Sequence, residues 1–206
     1  ERRLEVASGG TIINDQLAFR FSADTSTADG LVRNVTAGGF EDAREALMLR
    51  GKLLNEPTAI DDLSVQLAYT YDEREFGDLL SSLDVADPAN NRTSFSNRRF
   101  RDNVELGIGV LTIDYEFSDS VSLTSISAIN VTERSFESDG DRTADEIEFS
   151  FFDSKTTTLT QETRLNFDTD RFSGVIGTYY ASIDTPDSLS DAVLNLDVVN
   201  DLGLVN

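Results

Sequence analysis

Apolar and polar side chains alternate with a period of two along most of this 206-residue chain, and the alternating runs are joined by connections that are by turns short and long. A period of two marks a β-strand with unlike faces, because successive side chains point to opposite sides of a sheet. Leu17, Phe19, Phe21 and Ala23 alternate with Arg20, Ser22 and Asp24. Leu63, Val65, Leu67, Tyr69 and Tyr71 alternate with Ser64, Gln66, Ala68, Thr70 and Asp72. Leu111, Ile113 and Tyr115 alternate with Thr112, Asp114 and Glu116, whereas Val104, Leu106, Ile108 and Val110 hold the opposite parity, which predicts a bulge or a strand start near Val110. Leu159, Gln161, Thr163, Leu165 and Phe167 oppose Thr160, Glu162, Arg164 and Asn166. Eight strands are predicted near residues 2–9, 16–24, 45–55, 62–72, 105–117, 121–136, 157–167 and 171–182.

Short polar turns are predicted at residues 11–15, 57–62, 118–120 and 168–170, and long segments at 25–45, 73–103, 137–155 and 184–206. Structureless loops of that length are uncommon in a compact domain. A transmembrane β-barrel has them as a rule, with short turns on one side of the membrane and long loops on the other. Charge follows the same partition: residues 24–45, 72–102, 133–155 and 184–206, which span the long segments, hold 25 of the 38 acidic residues but 10 of the 17 basic ones, so they carry most of the net charge of −21. The fold class expected is all-β: an antiparallel meander of about eight strands, part of a larger transmembrane barrel with long extracellular loops. In such a barrel Leu17, Phe19, Phe21, Leu63, Val65, Leu67, Tyr69 and Tyr71 face lipid, and Arg20, Arg50, Lys52, Gln66, Glu116, Glu162 and Arg164 face the lumen. The same alternation also describes an antiparallel sandwich, soluble or at the cell surface, acting as a binding or adhesion module. Two segments carry helical spacing. In 41–54 it is opposed by Arg50 and Gly51, whereas 187–202, with Leu189, Val193, Leu196 and Val199, is predicted as a helical insert.

The chain has no Cys and no His, which removes disulfides, thiolate or imidazole metal sites, and Cys-His or Ser-His-Asp catalysis. A sequence pI near 4.1 opposes nucleic-acid binding, since a phosphate backbone is held by clustered Lys and Arg. Asp139, Asp141 and Asp145 have a spacing faintly like a calcium loop, but Thr143 and Ala144 stand where a ligand and the turn glycine belong. The pairs Gly9–Gly10 and Gly38–Gly39 lack the following Lys-Ser/Thr of a phosphate loop, and no local motif singles out a glycosidase pair of carboxylates. No metal, cofactor or enzymatic activity is expected.

Six stretches resemble barrel strands and hairpins of TonB-dependent receptors, in the order in which that family has them. INDQLAFRFSAD (13–24), DGLVRNVTAG (29–38) and LMLRGKLLNEPTAIDDLSVQLAYTYDE (47–73) are similar to its early strands, and LTIDYEF (111–117) followed by VSLTSISAINV (121–131) to a later hairpin. TQETRLNFDTDRFSGVIGTYYA (160–181) is similar to a further hairpin, with Gln161, Glu162, Arg164, Leu165, Arg171, Phe172, Gly177, Tyr179 and Tyr180 in matching places. The resemblance implies a location in the outer membrane of a Gram-negative bacterium, in contact with its lipid, and a role in active uptake of a small-molecule nutrient such as an iron-siderophore complex. Energy would come from TonB through a plug region that these residues do not contain. Receptors of this kind close with about 22 strands, so residues 1–206 are expected to be a partial barrel domain, without the plug and the later strands.

Overall fold

The computed structural model describes residues 1–78, 92–186 and 188–195. Among them the structure is all strand and connection, with no helix. The strands are β1 Arg2–Ile13, β2 Leu17–Ala28, β3 Arg33–Asn34, β4 Arg44–Asn55, β5 Leu63–Phe76, β6 Thr93–Ser94, β7 Arg101–Ser118, β8 Val121–Asp139, β9 Glu148–Asp168, β10 Ser173–Asp184 and β11 Leu189–Leu194. Nine of them form one sheet in the order β1-β2-β4-β5-β7-β8-β9-β10, with β11 also on β9, while β3 and β6 make a separate short parallel pair. Every long strand is antiparallel to its neighbour in sequence, as connections of two to seven residues between strands such as β4 and β5 or β7 and β8 require. The sheet does not close on itself: β1 and β10 are its two edges. Among the described residues no second sheet packs against it, so the sandwich expectation finds no facing layer.

The eight expected strands are all present, and most run further than the alternation suggested. β7, β8 and β9 have 18, 19 and 21 residues, where about 9–11 suffice to cross a bilayer. The extension is mutual, because each ladder residue satisfies the backbone of the next strand: Asp139 is still paired with Phe149 at the far end of β8 and β9. The predicted long segment 137–155 therefore shrinks to a connection of residues 140–147.

Two expectations are corrected. No bulge occurs near Val110; β7 passes it in unbroken register with β5 and β8, and the irregularity lies between Glu116 and Ser118 at the turn. The parity change is instead a change of packing. Gly107 and Gly109 occupy the face that Leu111 and Ile113 share, and the Tyr69 ring lies over them: a Cβ on Gly107 would sit 3.2 Å from the Tyr69 hydroxyl oxygen. One aromatic ring thus supplies the apolar surface that two glycines omit.

The second correction concerns 187–202, where Leu189–Leu194 is strand rather than helix, and where 187 and 196–202 lie outside the described residues. β10 ends with Asp184 opposite Thr157, and β11 begins with Leu189 opposite Asp153. Both run antiparallel to β9, so β11 continues the line of β10 after an interruption that contains Pro186, which has no N–H to give a ladder. The open edge of β9 at Glu148–Asp153 provides backbone partners there, and this outweighs a helical spacing of apolar residues.

Candidate functional site

Directly opposed residues in an antiparallel ladder share a face, so the register sorts the site residues. Leu17, Asn55, Val65 and Ile113 form one row; Phe19, Leu53, Leu67 and Leu111 the next; Phe21, Gly51, Tyr69, Gly109, Ile129 and Leu159 the third; Ala23, Leu49 and Tyr71 the fourth. Leu63 lies opposite Tyr115 on the same side. All eight residues expected to face lipid therefore share one face. Its apolar side chains are uncovered: Leu67 is 50% and Tyr69 54% exposed. Across β8 and β9 the face includes polar groups, and these satisfy one another, with Gln161 Nε2 donating to Ser125 Oγ (3.0 Å) and Thr163 Oγ1 (3.3 Å) and the Ser127 hydroxyl donating to Gln161.

The opposite face takes all seven residues expected in the lumen. Gln66 and Glu162 are in one row, joined through Thr112 and Ile126, and Glu116 lies in the row nearest the β7–β8 turn. Arg164 is ion-paired with Glu162 (2.5 Å). Further up the same face, three arginines each grip an aspartate with two N–H donors: Arg3 on Asp24, Arg74 on Asp72 and Arg134 on Asp102. Arg20, Arg50 and Lys52 converge instead on a hollow of about 230 Å³ with Ser22.

The long connections gather at one end of the sheet, and there the burial pattern reverses. Glu41 is 1% exposed, and its carboxylate accepts hydrogen bonds from Asn34 Nδ2, Ser94 Oγ (2.9 Å) and the Phe100 N–H (3.3 Å). It thereby ties the connection at 29–43 to the one that precedes β7. Asn34 Nδ2 also donates to the Ser96 carbonyl (2.9 Å), and its Oδ1 accepts from the Thr36 and Ala37 N–H groups (2.9 and 2.7 Å). Asp42 Oδ1 accepts from the N–H groups of Leu31 and Val32 (both 2.7 Å). The 140–147 connection joins through the Asn97 N–H on the Thr143 carbonyl (2.8 Å), and through Arg98, which pairs with Glu137 and Glu146 and lies 4.0 Å from the Phe149 ring centre. These hydrogen bonds, with Glu146 first and Glu137 second, raise the Arg98 pKa.

The calcium-like carboxylates are occupied within their own turn. Asp139 Oδ1 accepts from the Asp141 and Arg142 N–H groups (3.1 and 2.9 Å), the latter at φ 60°. Burial raises the Asp139 carboxyl pKa, and its Oδ2 is buried without a partner. Asp141 is also penalised by burial, but the Thr143 hydroxyl and the N–H groups of Glu148, Thr143 and Ile147 outweigh it and hold its pKa below the ordinary value. Among the described residues no group of three carboxylates is placed to hold a metal ion.

The alternation therefore located both faces, and it missed the loop crown of Asn34, Glu41, Asp42, Ser94 and Ser96. The one signal there was local: an Asn followed by Val-Thr-Ala-Gly-Gly, an Asx-type turn with Gly38 and Gly39 at φ 79° and 76°. No family model matches the chain, and no curated protein or solved structure matches it either.

Proposed function

We propose that this chain is part of an outer-membrane β-barrel that takes up a small-molecule nutrient, of the type that TonB-dependent receptors form. The observation that carries the reading is the exposure of Phe19, Leu53, Leu67 and Tyr69 together on one face of β2, β4 and β5, in antiparallel register. In water such a face costs about 25 cal/mol per Å² of apolar surface, and a bilayer removes that cost. The polar face opposite it is the lumen wall. The short turns lie at the periplasmic end and the loop crown lies outside, as in other barrels of the outer membrane. Two open edges fit a larger barrel, whose remaining strands would pair with β1 and β10.

The resemblance of the hairpins to TonB-dependent receptors supports the transport role and an iron-siderophore complex as the cargo. The test is insertion. The gene that encodes these residues, with whatever flanks them, is expressed in a Gram-negative host and the outer membrane is isolated. Heat-modifiable migration of the protein in that fraction supports the reading, and recovery in the soluble fraction as a folded monomer removes it.

A further inference from the structure

The hollow on the polar face differs from its surroundings in one respect: its cations are uncompensated. The register shows why. One row across five strands reads Gly9, Arg20, Lys52, Ala68 and Val110, and the adjacent row reads Ala7, Ser22, Arg50, Thr70 and Ile108. Neither row contains an acid. Arg20 lies directly opposite Lys52, an arrangement of like charges that destabilises a sheet, and Arg50 is two residues along from Lys52. The nearest carboxylate up the sheet, Asp24, is held by both N–H donors of Arg3 at 3.1 and 2.6 Å, and Arg50 acts on it only through its field. Among the described residues nothing hydrogen-bonds or ion-pairs with the side chains of Arg20 and Lys52. This is a chain with 38 acids against 17 bases, and four arginines on the same face are each neutralised by a carboxylate.

The hollow is lined by Arg20, Ser22, Arg50, Gly51 and Lys52. The residues next to them in the register, Gly9, Ala7 and Ala68, are small, and the space, about 230 Å³, suits a group of a few heavy atoms better than a strand or helix of protein. Two guanidinium forks, one ammonium and the Ser22 hydroxyl present donors only or donors by choice. That combination matches an oxyanion carrying two or more negative charges, since guanidinium pairs with carboxylate and phosphate oxygens in a two-point geometry and lysine adds a point charge.

We propose that Arg20, Ser22, Arg50 and Lys52 form a binding site for a small polyvalent oxyanion, a phosphorylated or polycarboxylate solute. The inference rests on the barrel reading for which side of the sheet a solute meets, and there it makes the site a subsite on the lumen wall. Binding relieves the repulsion between Arg20 and Lys52, so the occupied sheet is more stable than the empty one.

The test uses the 206-residue chain folded in detergent and titrated calorimetrically with inorganic pyrophosphate and, separately, with citrate. Saturable binding of one anion per chain, with a dissociation constant below about 1 mM and weakening as salt is raised, is expected for at least one probe. Response to pyrophosphate alone assigns a phosphate group, response to citrate alone a polycarboxylate, and response to both assigns general recognition of oxyanions. Arg50→Gln should weaken binding at least tenfold, Lys52→Arg should retain it, and Arg171→Gln, in the β9–β10 turn, should leave it unchanged. Circular dichroism confirms that each variant keeps its strand content; should Arg50→Gln not fold, Lys52→Gln takes its place with the same tenfold expectation. A folded wild-type chain that binds neither probe, or equal binding by the Gln variant, overturns the proposal. Failure of the barrel reading is seen separately, as a monomer that folds without detergent whether or not it binds anion.

Discussion

The sheet and the loop crown bury opposite kinds of side chain. In the crown the fully buried groups are Glu41, Asn34, Ser94 and Ser96, and Val32 is the buried apolar residue among those described. On the sheet Phe19, Leu53, Leu67, Tyr69, Ile129 and Leu159 remain exposed. A water-soluble protein distributes these the other way round, because burying a polar group costs free energy unless it is hydrogen-bonded and exposing an apolar face forfeits the hydrophobic term. The crown meets the first condition with a near-complete set of hydrogen bonds. The sheet meets the second only if its apolar face has a non-aqueous neighbour. On the reading proposed above the two regions belong to two solvents, and the long strands carry the chain from one into the other.

The comparison breaks most plainly if the sheet is content in water. An open sheet with two unpaired edges and an uncovered apolar face associates rather than folds alone, and a charge of −21 opposes aggregation without satisfying any edge N–H or C=O group. Residues 1–206 in detergent-free buffer should show no cooperative monomeric unfolding transition, and should become ordered in detergent or with further strands. Scanning calorimetry with light scattering checks this; a sharp transition from a monomer in buffer refutes it.

Substitution sharpens the same contrast within the sheet. Phe19→Arg or Leu67→Arg should reduce the folded, membrane-inserted fraction strongly, with a cost of about 2–4 kcal/mol for an arginine near the bilayer midplane. Ser22→Arg and Gln66→Arg, on the other face, should have far smaller effects. The readout is the ratio of folded to unfolded protein in isolated outer membranes. Equal losses from both sets would mean that the faces do not meet different solvents.

The crown should respond without the sheet. Glu41→Ala removes the acceptor for Asn34 Nδ2, Ser94 Oγ and the Phe100 N–H and leaves buried donors unpaired, at about 1–3 kcal/mol each. Amide exchange at Val35 and Ser96 should rise by more than tenfold, while exchange in β4 and β5 stays at the wild-type rate. Faster exchange in those strands as well would show that the crown and the sheet are one cooperative unit.

How much of this the sequence carried follows from where the information is local. Alternation is a property of consecutive residues, so both faces were legible, with Arg20 and Lys52 on one and Phe19 and Leu67 on the other, whereas the direct opposition of Arg20 and Lys52 is set by the register between strands. The ends of β8 and β9 were not, because Asp139–Phe149 pairing is stabilised by a neighbour strand rather than by the pattern of residues 137–155. The strand at Leu189–Leu194 was hidden for the same reason: its partner, Glu148–Asp153, is more than 35 residues away in sequence. The crown was least legible of all, since Glu41 meets Ser94 across 53 residues and polar loop residues give no periodicity to read.

The finest distinction lies within the crown, between two carboxylates in one turn. Asp139 has its pKa raised by burial, so its protonated form favours the folded turn; that stability is present below the unfolded value of 3.8 and is lost as pH rises through the folded one. Asp141 is the reverse. Its lowered pKa gives stability that is present above 3.8 and lost only as pH falls through its folded value. Above pH 4 the Asp139 effect is therefore the one that varies, and the N–H groups of Asp141 and Arg142, which favour its charged form, reduce the effect without reversing it. Protection of the Asp141 and Arg142 amides, corrected for intrinsic exchange, should decline as pH is raised from 4 to 7. In Asp139→Asn the amide side chain keeps an Oδ1 acceptor for those two N–H groups and has no charge to bury, so the decline should vanish while protection at pH 4 stays close to wild type. A decline of the same size in the Asn variant would assign the pH dependence to another group and leave Asp139 a simple turn cap.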